Sequence, residues 1–391
     1  MLYVIILQVL VVLALALVLG ELFSQFRLPA VAGELAAGLI LGPSFLNVVT
    51  VNPQTEGLSS IALFFIIFLI GFQMKTETLR KHFVESVLVT MTSFVIPLIV
   101  ATLFVISLFP FGMLEDFIVA LALAVPSISI ISVMVMQYDL IERGTGQLII
   151  SSVIVTDVVA FVVLATVSES VRGTLLLLVY LAVFLIIYAL VDRLLNMRAA
   201  SLRNMLNRAS RILKREYVSY TILIILGLFV SYIFQLIGLS FIVGAFFAGL
   251  ILHDELIGKE AFNNFQHVLD SMNQGFFIPI FFGFAGVQAT LTSSDYPLLG
   301  YLMLTMAASL ATSVLLTYFF TKKVMGASSE VDARTVAIIL GGRGAVGIVL
   351  VTVALSVGLI GTSSYSIVIF GTTVTSVIIP LFLQRKRAQT V

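Results

Sequence analysis

Three ionisable side chains stand well inside long apolar runs of this chain: Glu34, Asp157 and Arg343. A charge in such a setting is costly, so the default expectation is that it binds, pairs with or moves an ion. Asp157 has the clearest chemistry. It lies in "SSVIVTDVVA", Ser151 to Ala160, inside an apolar run from about Leu148 to Val167. A carboxylate withdrawn from water is neutralised by a proton or by a bound cation, so the two compete for its oxygens. Hydroxyls and open carbonyls complete the shell of a small monovalent cation, which makes Thr156, Ser127 and Ser129 candidate ligands beside Asp157. The alternative for Asp157 is a structural acid hydrogen-bonded between helices. Arg343, in "GGRGAVG", has another use: a fixed cation there would offset unsatisfied carbonyl dipoles and repel excess cations. Glu34 fits a packing role and a proton path equally. Enzyme chemistry has little support. His82, His253 and His267 are placed in connections, and no nucleophile–base pair or metal constellation is visible. "GGRGAVG" lacks the Lys-Ser/Thr ending of a phosphate loop, and no cysteine is present, so neither a nucleotide cofactor nor a thiolate metal site is expected.

The elements that position these groups follow from composition. The 391 residues are 60% hydrophobic and 10% charged, with a mean hydropathy of +1.17, so most of the surface must face lipid. A net charge of +1 gives no reason to expect a nucleic-acid partner. The opening "MLYVIILQVLVVLALALVLG" has no basic leader and no cleavage site, so it reads as a first span. Thirteen apolar runs fall near 2–20, 28–46, 57–74, 85–109, 117–137, 145–168, 172–191, 217–237, 239–253, 271–291, 297–321, 333–358 and 362–384. The expected fold is an all-α polytopic membrane protein of about thirteen spans. Charge tests that count. With the N-terminus outside and the C-terminus cytoplasmic, nineteen of the 21 Lys and Arg residues fall on the inner side; Arg172 is outside and Arg343 within a span. The segment 192–216 is basic and carries Leu202, Met205, Leu206, Ala209 and Leu213 at helical spacing, the pattern of an amphipathic surface helix joining two halves.

Those halves match in opposite sense. "AGLIL" occurs at Ala37–Leu41 in the second span and at Ala248–Leu252 in the ninth, and the third and tenth spans then align Gly71 and Gln73 with Gly286 and Gln288. Paired spans seven apart cross the membrane in opposite directions, and such inverted repeats are a hallmark of secondary transporters. Residues 1–191 form the first repeat, with the seventh span as a connector, and 217–391 the second. Transporter sites use helices interrupted at matching places. Pro126 interrupts the fifth span, and Gly341, Gly342 and Gly344 interrupt the twelfth, seven later. Taken singly, a membrane proline can simply kink a helix and glycines can simply allow close packing. Matching positions in two repeats favour a pair of crossed discontinuous helices.

"LPAVAGELAAGLILGP", "FLIGFQM", "FFIPIFFGFAGVQATL", Asp157 in the sixth span and "GGRGAVG" in the twelfth together resemble the second cation:proton antiporter family. Its members include NapA-type sodium/proton antiporters and glutathione-gated potassium efflux antiporters. The resemblance runs through essentially the whole chain. It implies the NhaA-like antiporter fold, a homodimer in the lipid bilayer, and an elevator motion of a core domain (spans 3–6 and 10–13) against a dimerisation domain (spans 1–2 and 8–9). It also implies that Asp157 binds cation and proton beside the helix crossing. Electrogenic members carry two consecutive acids where this chain has Thr156 before Asp157, and a lysine in the eleventh span where it has Thr312 and Ser313. One carboxylate without that lysine implies electroneutral one-for-one exchange. The expectation is a prokaryotic inner-membrane antiporter of protons against sodium, potassium or lithium, most simply sodium. The alternatives are potassium/proton antiport with a separate soluble regulatory subunit at the basic linker, and a cation-coupled organic solute symporter.

Overall fold

Apolar runs broken by proline and glycine fold here as broken helices. The computed structural model describes residues 2–26, 28–73, 83–126, 144–167, 218–236, 241–252, 259–292, 295–323, 330–343 and 345–387, with Ile131, Val135 and Leu140. Among the described residues every regular element is a helix. Five helical stretches among the described residues are long and apolar enough to cross a membrane: Tyr3–Gln25, Pro53–Gln73, Val84–Leu108, Thr145–Leu164 and Tyr296–Lys323. Shorter apolar helices include Ala30–Leu41, Tyr220–Leu236 and Val346–Ser356. The chain is thus a polytopic all-helical membrane protein. The seventh run and the basic segment 192–216 lie outside the described residues.

By chain contacts the molecule divides into two compact units, one of residues 1–56, 77–164 and 279–391, the other of residues 57–76 and 165–278. The first unit opens with α1 (Leu2–Gln25) beside α2 (Ala30–Leu41). Gly38 of α2 lies against α11 (Ile278–Gln288) so closely that a Cβ there would sit 1.9 Å from the Gly283 carbonyl oxygen. Across the same seam, a Cβ at Gly286 would sit 2.4 Å from the Leu35 oxygen. In lipid no hydrophobic effect draws helices together, so small residues that let backbones touch carry the packing.

The second unit contains α3 (Pro53–Gln73), from Gly57 on, with α8 (Val218–Leu236), α9 (Phe241–Ile251) and α10 (Lys259–Met272). Its seam repeats the first. A Cβ at Gly249 of α9 would sit 2.2 Å from the Phe68 oxygen, and one at Gly71 would sit 2.1 Å from the Phe246 oxygen. Both seams use the glycine of an "AGLIL" segment, Gly38 in one and Gly249 in the other. Aromatic rings fill the rest of this unit. Phe65 stacks on Phe277 at 4.5 Å and Phe72 on Phe262 at 4.3 Å, while Phe265 meets Phe72 edge-on at 5.2 Å.

One difference from the sequence reading lies here. His267, placed above in a connection, is helical, because α10 begins at Lys259 rather than near residue 271. The reason is a 3–4 periodicity hidden by polar residues: Phe265 and Leu269 are buried while His267 faces outward. The helix then widens into a π turn, Asn273–Phe277, before α11.

In the first unit α4 (Phe83–Thr90) continues through another π turn, Met91–Val95, into α5 (Ile96–Leu108). α6 (Met113–Ala124) stops at Val125, which adopts φ −70° and ψ 124°. A residue before proline is pushed out of the helical region in this way. Pro126 then forms an isolated antiparallel bridge with Arg343. Arg343 sits in the gap between α13 (Glu330–Ile339) and α14 (Ala345–Ser356), so the bridge joins the end of α6 to that gap. α7 (Gly144–Val167), α12 (Tyr296–Lys323) and α15 (Thr362–Arg387) complete this unit. At the far end of α6, the Glu115 carboxylate accepts the Gly361 amide at 2.7 Å, capping the start of α15 where an anion complements the helix dipole.

Candidate functional site

The centre of the first unit is organised by a proline that no motif in the sequence analysis singled out. Pro97 has no amide proton, so the carbonyl of Ser93, four residues earlier, loses its usual helical donor. The π turn Met91–Val95 ends two residues before it, and such turns are frequent where a helix ladder is rearranged. Ser93 is fully buried, so its carbonyl must be satisfied from elsewhere. Two donors reach it: the Ser313 hydroxyl at 2.9 Å and the Nη2 of Arg343 at 3.3 Å. Ser309, one turn before Ser313 on α12, donates to the Pro97 carbonyl at 3.4 Å.

The same turn reaches α7 from its other end. Thr90 donates to the Ser152 carbonyl at 3.1 Å, and Thr156 donates to that carbonyl at 2.9 Å, with the two hydroxyl oxygens 3.4 Å apart. Below them, Val89, Ile149, Val153, Ile339 and Leu340 form a buried apolar floor. Ile149, Val153 and Asp157 follow at four-residue spacing on one face of α7, so the carboxylate stands one turn beyond that floor.

Asp157 is 1% exposed, and neither carboxylate oxygen has a hydrogen-bond partner among the described residues. Arg343 is 2% exposed; its Nη2 is bonded to Ser93, whereas Nε and Nη1 have no partner among them. Buried polar atoms are nearly always satisfied, so a buried acid and a half-satisfied guanidinium within one unit are exceptional. A buried acid of this kind has the chemistry to take up a small cation or a proton.

The remaining sequence candidates separate. Arg343 and Ser313 meet at the turn, Pro126 joins through its bridge to Arg343, Thr156 joins through Thr90, and Gly341 and Gly342 are buried in the gap before Arg343. Glu34 does not join them. It is buried in α2, its Cγ near Gly20 of α1, with Oε2 lacking a partner among the described residues. Thr312 turns back to the Ala308 carbonyl of its own helix at 2.8 Å. Ser127, Ser129 and Gly344 lie outside the described residues. Sequence reasoning overlooked Thr90, Ser93, Pro97 and Ser309. A signal was present in "VTMTSFVIP", where hydroxyls precede a proline in an apolar run. A second was the strict four-residue spacing of Thr305, Ser309, Ser313, Thr317 and Thr321, all buried on one face of α12.

Known proteins resemble this chain over most of its length. A sodium/proton antiporter of Enterococcus hirae is 26% identical over 386 residues, covering 96% of each chain. A probable sodium/proton antiporter of Methanocaldococcus jannaschii is 23% identical, covering 96% of this chain and 94% of its own. A potassium/proton antiporter of Saccharomyces cerevisiae is 25% identical over 94% of this chain, which spans 44% of that longer protein. Among solved structures, the sodium proton antiporter MjNhaP1 of Methanocaldococcus jannaschii superposes with a TM-score of 0.64 at 16% identity, covering 97% of this chain and 98% of its own. The family model for the transmembrane sodium/hydrogen exchanger matches residues 10–385. With nearly its whole length matched, the chain belongs to the sodium/hydrogen exchanger family, and is a membrane transporter and not an enzyme.

Proposed function

We propose that this protein exchanges sodium for protons one for one, with both ions competing for Asp157. The observation that carries the proposal is the buried Asp157 carboxylate, without a hydrogen-bond partner among the described residues, on the helix tied through Thr156 and Thr90 to the turn that holds Arg343. In one limb of the cycle the site crosses as a sodium carboxylate and in the other as the carboxylic acid. Both forms are neutral, and Arg343 stays charged throughout, so the limbs carry equal charge and the cycle is electroneutral. Thr156 adds a hydroxyl oxygen beside the acid; Ser127 and Ser129, next in sequence after Pro126, are further proposed ligands.

The architecture proposed with it has about thirteen spans in two inverted repeats. Its N-terminus is outside and its C-terminus cytoplasmic, in a prokaryotic inner membrane. The paired glycine seams at Gly38 and Gly249 support the repeat, and the Pro126–Arg343 bridge supports crossed discontinuous helices. A homodimer, the division into core and dimerisation domains, elevator motion and the narrower place in the second cation:proton antiporter family rest on the resemblance of the sequence motifs.

Potassium/proton exchange is the second reading, favoured by Thr156 in place of an acid before Asp157 and by similarity to a potassium/proton antiporter. A soluble regulatory subunit at residues 192–216 belongs with that reading. A solute symporter has less support, because a lone carboxylate suits an ion better than an organic substrate. Purified protein in liposomes with a trapped pH dye tests all three. Sodium or lithium gradients should move protons, Asp157→Asn should abolish the signal, and normal exchange by that variant would contradict the site. A response to potassium alone would select the second reading.

A further inference from the structure

We propose that Glu34 is a proton-binding site separate from the exchange site, and that losing its proton loosens the contact between α1 and α2. The basis is where the side chain stands. Glu34 is the one polar residue of α2 and is 6% exposed, and its Oε2 has no hydrogen-bond partner among the described residues. α1 and α2 touch through their backbones at this level: a Cβ at Gly33 would lie 2.4 Å from the Leu19 carbonyl oxygen. Gly20 leaves the room that the glutamate stem fills, since a Cβ there would lie 3.5 Å from Glu34 Cγ. One turn further along α2, Gly38 meets α11 just as closely, so the carboxyl is enclosed between two glycine contacts.

The elements packed against α2 bring few ionisable groups. α1 carries Glu21, which is exposed and of the same sign. α11 has none. On α15, Tyr365 is engaged with the Ala285 carbonyl, and the basic residues Arg385, Lys386 and Arg387 come at the last turn. Arg27 lies outside the described residues. An unpaired carboxylate is far costlier to bury than a carboxylic acid, so a proton is the neutralising partner that this enclosure admits. The unfolded chain releases that proton in the ordinary glutamate range. The folded state then holds one proton more, and the stability this contributes is present in acid and declines as pH rises, until the folded group ionises too. Ionised, Glu34 must draw in water or a cation, and the close contacts at Gly20 and Gly33 are the ones displaced. Asp157, on α7, shares no partner with Glu34 among the described residues, so the two carboxyls are distinct groups.

Thermal unfolding of the purified protein in detergent, from about pH 6 to about pH 10, tests this in the wild type and in Glu34→Gln, which keeps the shape and is neutral throughout. The two should unfold alike at the acid end, and Glu34→Gln should melt roughly 1–4 °C higher at the alkaline end. Superimposable profiles overturn the proposal. So does lower alkaline stability of Glu34→Gln, the result a paired carboxylate would give. Should Glu34→Gln fail to fold, Glu34→Met, an apolar stem of similar length, decides by the same comparison; failure of both overturns the proposal, because no neutral group of this shape is then accepted. Sodium-driven exchange in liposomes should persist in Glu34→Gln and vanish in Asp157→Asn. Loss of exchange by folded Glu34→Gln contradicts a separate site, whereas normal exchange by Asp157→Asn contradicts the exchange site and leaves the unfolding comparison standing.

Discussion

Two π turns in this molecule share a backbone device and differ in everything around it. Met91–Val95 and Asn273–Phe277 are each five residues long, and each is followed by Ile-Pro, at Ile96–Pro97 and Ile278–Pro279. Each proline strips the carbonyl four residues back, Ser93 in one and Gly275 in the other. Ser93 is buried and its oxygen is claimed by a hydroxyl and a guanidinium, whereas Gly275 is exposed with open space where a Cβ would stand. The second turn is held by Asn273, which donates to the Leu269 carbonyl at 2.9 Å and the Phe65 carbonyl at 3.3 Å, and by Phe277 stacked on Phe65. The same distortion therefore lies among converging polar groups in one place and among packed rings in the other. What a π turn does is decided by its neighbours.

The largest effect expected from this contrast separates the two turns by function. Asp157→Asn should reduce exchange to the background of empty liposomes, while Asn273→Ala should transport with a normal KM. Loss of transport by Asn273→Ala in folded protein would break the contrast. Next come the glycine seams. Gly38→Val and Gly249→Val each place methyl groups where a backbone carbonyl already lies, and overpacking of this kind costs about 1–3 kcal/mol or more. Both variants should lose thermal stability in detergent by similar amounts; a tolerated valine at either site would show that the seams are not equivalent.

A smaller loss is expected from Asn273→Ala itself. It removes the donor to two carbonyls and should cost roughly 1–3 kcal/mol in thermal or denaturant unfolding. The smallest concerns Asp295, in the connection before α12. Burial works against its charge, yet hydrogen bonds from Thr292 and Ser363 hold its carboxyl below the usual carboxylate range. A depressed value in the folded state means stability is present above the ordinary carboxylate range and is lost as pH falls through the folded value. Asp295→Asn should flatten that acid dependence of the melting temperature, without altering KM for sodium.

Much of the frame is legible in the sequence because its determinants are local. Hydropathy marks the spans, and Pro126 and the glycines around Arg343 mark where a helix cannot continue; α6 ends at Ala124 and α13 at Ile339. The buried acid stands out because Asp157 is a lone carboxylate in an apolar run. What is not legible is long-range pairing. Ser93 meets Ser313 and Arg343 across 220 and 250 residues, and no periodicity in one segment says which carbonyl a distant donor will take. Glu34 and Thr312 show the converse. Both are polar in apolar surroundings, yet one lies against α1 and the other bonds within its own helix. α10 was hidden for a third reason: its polar face lowers average hydropathy while Phe265 and Leu269 keep the helical period.

The most direct test of the central claim is the rate of sodium-driven proton movement in liposomes under an imposed membrane potential. A cycle that moves one net charge feels about 2.3 kcal/mol per 100 mV, or roughly 50-fold in driving force. With one carboxylate alternating between sodium and a proton, both polarities should give the same rate as zero potential. A rate that rises with one polarity and falls with the other would contradict one-for-one exchange at Asp157.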